Sequence, residues 1–252
     1  EMTTRLERIL KLQGLKIHTQ MRIEKALKRK GKVSLKGTCL KDQTPFSFEA
    51  DKVLLAVGRT PNLPQVGRIN LDLDRKGFVR VNPYLETGVS RVYAIGDLIG
   101  GKLFAHKAIH EGLTAVENAF GRKIAMNYEA LPMAVYTEPE FSSVGITEQE
   151  AEEKGIETRS GNFSLQASGR ALTVGQQEGM VKIIADQKDR ILGAHILAPH
   201  ASELIAEMSL AISKSMTIED IASSIHVHPT LSEAVMEAAM KTKGQALHML
   251  NI

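Results

Sequence analysis

Two short runs constrain the fold of this chain most. Residues 51–57 read Asp51-Lys52-Val53-Leu54-Leu55-Ala56-Val57, and residues 91–97 read Arg91-Val92-Tyr93-Ala94-Ile95-Gly96-Asp97. Each is nearly continuous apolar sequence rather than an alternation of apolar and polar positions. A strand written this way is buried on both faces, as in parallel sheets covered by helices. The first run leads into Gly58 and Arg59, and the second closes on Gly96 and Asp97. The carboxyl ends of such strands are where α/β proteins bind ligands. The first half of the chain is therefore expected to be α/β.

The flanking sequence has other rhythms. Leu6, Ile9, Leu10 and Leu12 recur near a helical period, and Gly14 is placed to stop that helix before Lys16-Ile17-His18 enters a strand. Segments near 21–29, 32–40 and 46–49 alternate like antiparallel strands. After the second apolar run and a glycine-rich turn, a helix is expected from about Ala105 to Phe120. From about residue 129 the pattern becomes α+β, with strands near 132–136, 141–145, 158–164, 179–185 and 190–197. Helices are expected near 147–154, 200–214, 217–223 and 230–242. The last of them puts Leu231, Ala234, Val235, Ala238 and Ala239 on one face.

Composition excludes several classes. With 43% hydrophobic and 24% charged residues the chain is globular rather than disordered. Its net charge of +3 comes from dispersed Lys and Arg, the pattern of a solvated surface rather than a nucleic-acid footprint. No apolar run reaches membrane-spanning length, and no signal peptide opens the sequence. The single cysteine, Cys39, excludes an internal disulfide and fits a reducing compartment; cytoplasmic is the expected location. It lies in a strand-like stretch with no histidine nearby and reads as packing.

The chemistry concentrates in His226-Val227-His228-Pro229-Thr230-Leu231-Ser232-Glu233. This places an imidazole before a proline-started helix and a carboxylate five residues on, in the helix's first turn. The carboxylate can fix the histidine tautomer and leave the other ring nitrogen free for proton transfer. Glu233 has a second reading. Thr230 to Glu233 also spells a capping box, and one carboxylate has two oxygens, so both roles are compatible. His226 lies at even spacing from His228 and shares its face, so periodicity does not choose between them. The pair has no third ligand at suitable spacing, and no metal site is expected. Asp97 reads either as a ligand for a polyol or ribose or as a turn residue. Gly58 permits close backbone approach to a cofactor, and Arg59 reads equally as an exposed turn residue.

The His-Pro-Thr-Leu-Ser-Glu stretch resembles the signature of the dihydrolipoamide dehydrogenases, a family of flavin–disulfide reductases. Four further motifs follow family order: Gly58-Arg59-Thr60-Pro61-Asn62, Thr87 with residues 92–97, Leu103-Phe104-Ala105-His106, and Tyr136-Thr137-Glu138-Pro139-Glu140 followed by Val144-Gly145. The resemblance selects His228, with Glu233, as an acid–base pair acting across a homodimer on the partner's flavin and redox disulfide. His226 is then a supporting residue. Asp97 would hold the ribityl chain of FAD. Leu103, Phe104, Ala105 and His106 would lie under the flavin ring, and Gly58 would close the NAD domain. Implied partners are the lipoyl domains and the peripheral-subunit-binding domain of a 2-oxo acid dehydrogenase complex.

The resemblance divides the chain into residues 1–60, the second half of an NAD-binding domain, residues 61–128, the end of an FAD-binding domain, and residues 129–252, an interface or dimerisation domain. The fold expected is thus α/β remnants of two dinucleotide-binding domains followed by an α+β interface domain. The family's Cys-x4-Cys pair and the G-x-G-x-x-G fingerprints do not occur in these residues, and the sequence opens within a helical pattern without methionine. The chain is therefore expected to be a truncation, inactive by itself. A glutathione-reductase-like NADPH disulfide reductase and a non-catalytic dimerisation module are the rival readings.

Overall fold

A computed structural model describes residues 1–63 and 69–251; residues 64–68 of the expected linker lie outside the described residues. The chain divides into two compact units, residues 7–60 and residues 1–6 with 61 onward. Helix α1 (Met2–Leu12) spans that division and ends, as its pattern predicts, just before Gly14.

In the smaller unit, β1 (Met21–Arg29), β2 (Lys32–Cys39) and β3 (Pro45–Ala50) form an antiparallel meander. A two-residue turn sets the β1–β2 register, pairing Arg29 with Lys32. The β2–β3 turn is held by Asp42, whose carboxylate accepts from the Thr44 amide at 3.1 Å and hydroxyl at 2.7 Å. Residues 15–19 carry no strand.

The first apolar run corrects the expectation of a buried strand. Residues 52–56 adopt no regular structure, and Leu54 is 91% exposed. A parallel strand exists only through neighbours on both sides, and no described residue pairs with this segment. Gly58, expected at a strand end, instead lies on exposed coil at φ +130°.

The larger unit begins with irregular backbone. Here too the expected strand at 91–97 is reduced to one bridge, between Glu86 and Tyr93, followed by a 3-10 turn over Gly96–Ile99. Helix α2 (Ala105–Ala119) follows.

The remainder is a five-stranded antiparallel sheet: β4 (Met133–Val135), β5 (Glu140–Gly145), β6 (Thr158–Ser164), β7 (Met180–Asp186) and β8 (Ile191–Ala198). The spatial order is β4-β5-β8-β7-β6, with β8 central and almost wholly buried. Helix α3 (Glu148–Glu153) opens on a complete Thr147–Glu150 capping box. A short helix α4 (Gly169–Thr173), unexpected from sequence, is capped by Ser168.

Three further helices complete the unit: α5 (Ala201–Ser213), α6 (Ile218–Ala222) and α7 (Glu233–Thr242). The core joins Ile183, Ile196, Ile205, Met208, Val235 and Ala238, among others, in one cluster. Leu231, Ala234, Val235, Ala238 and Ala239 face it, as the periodicity predicts. Helix α7 crosses β6 at Gly161, where an added Cβ would stand 2.2 Å from the Ala238 carbonyl oxygen. That close approach seats the helix that begins at Glu233.

Candidate functional site

Helix α7 starts at Glu233 rather than at Pro229, so residues 229–232 form a turn carrying the histidine segment onto the helix. Only one arm of the expected capping box is present. Glu233 Oε2 accepts the Thr230 amide at 2.7 Å, but the Thr230 hydroxyl turns back to the Val227 carbonyl at 2.7 Å and to Ser232 Oγ at 2.8 Å. No side chain caps the helix from Ser232.

The other oxygen of Glu233 meets His228, with Oε1 2.8 Å from Nδ1. An ionised carboxylate only accepts, so the ring proton sits on Nδ1 and the Nε2 lone pair is left available. Nε2 has no hydrogen-bond partner among the described residues. Burial pushes the Glu233 carboxyl up, but the Thr230 amide, His228 and His248 together outweigh it and hold the group below the ordinary carboxylate value. Glu233 therefore stays an acceptor for His228 at neutral pH.

His226 is placed differently. Its Nδ1 donates to the Ser224 carbonyl at 2.9 Å and its Nε2 faces Glu207 Oε1 at 3.1 Å. Its side chain is 7% exposed, against 77% for His228. Both of its nitrogens are committed, which leaves no site for proton exchange with a substrate.

The second group of residues lies around the start of α2. Asp97 is exposed, one residue into the 3-10 turn. Leu103 and Phe104 are half-buried, while Ala105 and His106 are exposed. Phe104 gives α2 no side-chain cap, so its first amides keep their positive end toward the surface. His106 stacks on Phe104 with centroids 5.2 Å apart, and its Nε2 donates to the Pro132 carbonyl at 2.8 Å.

Helix α2 is inverted in polarity. It buries Lys107, Glu111, Ala115 and Asn118 and exposes Ile109, Leu113 and Val116, with Phe120 exposed just past its end. The Lys107 and Glu111 side chains, 4% and 0% exposed, form an ion pair at 2.8 Å. From sequence, a Lys/Glu pair four apart on a helix reads as a solvated surface pair. The signal available was its spacing with Ala115 and Asn118 along one stripe. Glu237 was also missed: its buried carboxylate holds His248 Nδ1 at 2.6 Å and the Leu247 amide at 2.9 Å, fastening the last residues to α7.

Comparison with known proteins accounts for this layout. The profile described as pyridine nucleotide-disulphide oxidoreductase matches residues 1–112, and that described as its dimerisation domain matches residues 131–239. The chain belongs to the pyridine nucleotide-disulphide oxidoreductases. Within that family it is similar to dihydrolipoyl dehydrogenases. The one from Thermus scotoductus is 40% identical over 249 residues, which is 98% of this chain and 54% of that protein. The one from Haloferax volcanii is 46% identical over 208 residues, 81% of this chain and 44% of that protein. The chain thus spans about half the length of these relatives. Among solved structures, LpdA of Mycobacterium tuberculosis superposes with a TM-score of 0.85 at 25% identity, over 94% of this chain and 51% of that one. The flavoprotein disulfide reductase RclA of Escherichia coli shares the fold, with a TM-score of 0.82 at 22% identity over 94% and 55% of the two chains. As a member of this oxidoreductase family, the chain is mixed α/β, with its described strands in two antiparallel sheets.

Proposed function

We propose that this chain is the C-terminal part of a dihydrolipoyl dehydrogenase, an enzyme that oxidises dihydrolipoamide with NAD as a homodimer within a 2-oxo acid dehydrogenase complex. The observation that carries the reading is the His228–Glu233 pair, with Nδ1 tied to a carboxylate and Nε2 exposed. Nε2 takes the proton of a dihydrolipoamide thiol, and the thiolate attacks a disulfide sulfur; on return the same proton goes to the departing thiolate. Glu233 holds the ring in position and balances the imidazolium while it carries that proton. The cysteine pair lies outside these residues, and His228 serves the partner subunit.

The residues around α2 fit FAD. An exposed carboxylate at Asp97 suits ribityl hydroxyls, and an uncapped helix start at Phe104–His106 suits the electron-rich pyrimidine edge of the ring. Bound flavin supplies the two-electron relay between the dithiol and NAD. Gly58 and Arg59 are assigned to the NAD-binding half. The exposed apolar stripe of α2 and the apolar run at 52–57, which pairs with no described strand, support the view that these 252 residues alone do not turn over.

The test is the visible spectrum and activity of the full-length protein. Flavin bands with NAD reduction by dihydrolipoamide support the reading. Activity with NADPH and oxidised glutathione instead would replace it with the glutathione-reductase class, and turnover by these residues alone would overturn the fragment reading.

A further inference from the structure

Gly96 lies at φ +71°, and a Cβ there would stand 3.2 Å from the Ala108 methyl, so the backbone passes against α2 in a conformation suited to glycine. Both its polar groups are buried with the side chains of that helix. The Gly96 amide donates to Glu111 Oε2 at 2.7 Å, and the Lys107 ammonium donates to the Gly96 carbonyl at 3.3 Å. Lys107 also pairs with Glu111 Oε1 at 2.8 Å, and the Tyr128 hydroxyl donates to that same oxygen at 2.7 Å. Burial and the Glu111 carboxylate together push the Tyr128 phenol well above its ordinary value, so it remains a donor.

A buried ion pair is weak evidence of stability by itself, since an apolar pair of similar volume often serves as well. What an apolar pair cannot do is hydrogen-bond both groups of a buried, strand-free peptide. Asp97 is the next residue, and the helix start at Ala105 lies half a turn before Lys107. We infer that Lys107, Glu111 and Tyr128 are positioning residues: they clamp the Gly96 peptide so that the Asp97 carboxylate and the N-terminus of α2 are held in one rigid frame toward the flavin. This rests on the flavin assignment above.

The test uses the full-length protein, stripped of flavin and titrated with FAD, in wild type and in a Lys107→Met/Glu111→Leu double variant. Replacing both charges together avoids leaving either one buried alone. FAD affinity is expected to weaken roughly tenfold or more, the scale of one lost charge-assisted hydrogen bond. The shape of the bound flavin's visible band is expected to change, a readout that the stability lost with the unpaired Gly96 amide and carbonyl does not by itself move. Wild-type FAD affinity and spectrum in the double variant would overturn the clamp. If that variant does not fold, Tyr128→Phe decides: a few-fold weaker FAD with an altered band supports the clamp, and an unchanged titration removes it. A wild-type protein that binds no FAD would instead sink the flavin assignment itself.

Discussion

His226 and His228 stand two residues apart in one segment, yet the first is enclosed between Ser224 and Glu207 while the second, among the described residues, is tied to Glu233 alone and opens its Nε2 outward. Their separation is one of environment, since both are histidines beside a carboxylate.

The two substitutions are expected to separate accordingly. In the full-length protein, His228→Gln removes the proposed proton acceptor and, on the proposed function, should lower dihydrolipoamide oxidation by roughly 10²- to 10⁴-fold, with flavin content unchanged. His226→Gln should leave turnover within about tenfold of wild type and act mainly on stability, through its lost bond to Glu207. Steady-state rates measure both; wild-type turnover in His228→Gln would take that residue out of the mechanism.

Glu233→Gln tests the carboxylate that serves two donors. A glutamine has one acceptor oxygen, so either the Thr230 amide or His228 Nδ1 loses its partner. A fall in activity together with about 1 kcal/mol of lost stability is expected. The pH dependence has a definite sign. Glu233 is depressed below 4.5 in the fold, so its contribution is present above 4.5 and lost as pH falls through the folded value. Urea melts should show that acid limb shrinking in Glu233→Gln.

His195 on β8 predicts a second acid effect. Its Nε2 donates to the Ile146 carbonyl at 3.1 Å and its Nδ1 accepts from the Ser143 hydroxyl at 2.8 Å, an arrangement that needs the neutral ring. Burial, helped by the Lys182 cation, holds it below 6.5 against the opposing Ile146 carbonyl and the Glu150 and Glu148 carboxylates. The unfolded chain therefore binds a proton the fold refuses. Stability is full above 6.5 and declines as pH drops from there toward the folded value. Denaturation at about pH 8 and about pH 5.5 should show a loss in wild type that is smaller in His195→Gln.

Gly161→Val should separate α7 from β6, because the new Cβ would meet the Ala238 oxygen at 2.2 Å and the Thr242 amide nitrogen at 2.5 Å. A cost of about 1–3 kcal/mol is expected from such overpacking. Gly169→Ala, where an added Cβ meets nothing within 4 Å, is the control and should melt within about 0.5 kcal/mol of wild type. Equal melts for the two would contradict the crossing geometry.

Much of this fold is readable residue by residue. The strands of the antiparallel sheets and helices α2, α5 and α7 come within a few residues of their patterns. For the strands of the larger sheet and for α5 and α7, the period of burial is set by neighbours that this chain supplies. The histidine motif was legible for a similar reason: five residues of turn suffice to bring Glu233 to His228.

What local sequence could not decide is everything that depends on what lies across from a segment. Residues 52–56 and 91–97 carry the pattern of buried strands, but a strand needs partners for its amides and carbonyls, and without them the same residues are coil or a single bridge. Helix α2 carries a stripe of Lys107, Glu111 and Asn118 that reads as solvated until the irregular backbone of Tyr84, Gly96 and Ile124 is found hydrogen-bonded to it. The resemblance had singled out His228, but the different surroundings of His226 depend on Glu207, nineteen residues away on α5. Periodicity records which face a residue points to; only the tertiary structure decides whether water, a peptide group or a charge is waiting there, and that sets each side chain's protonation, hydrogen bonds and use.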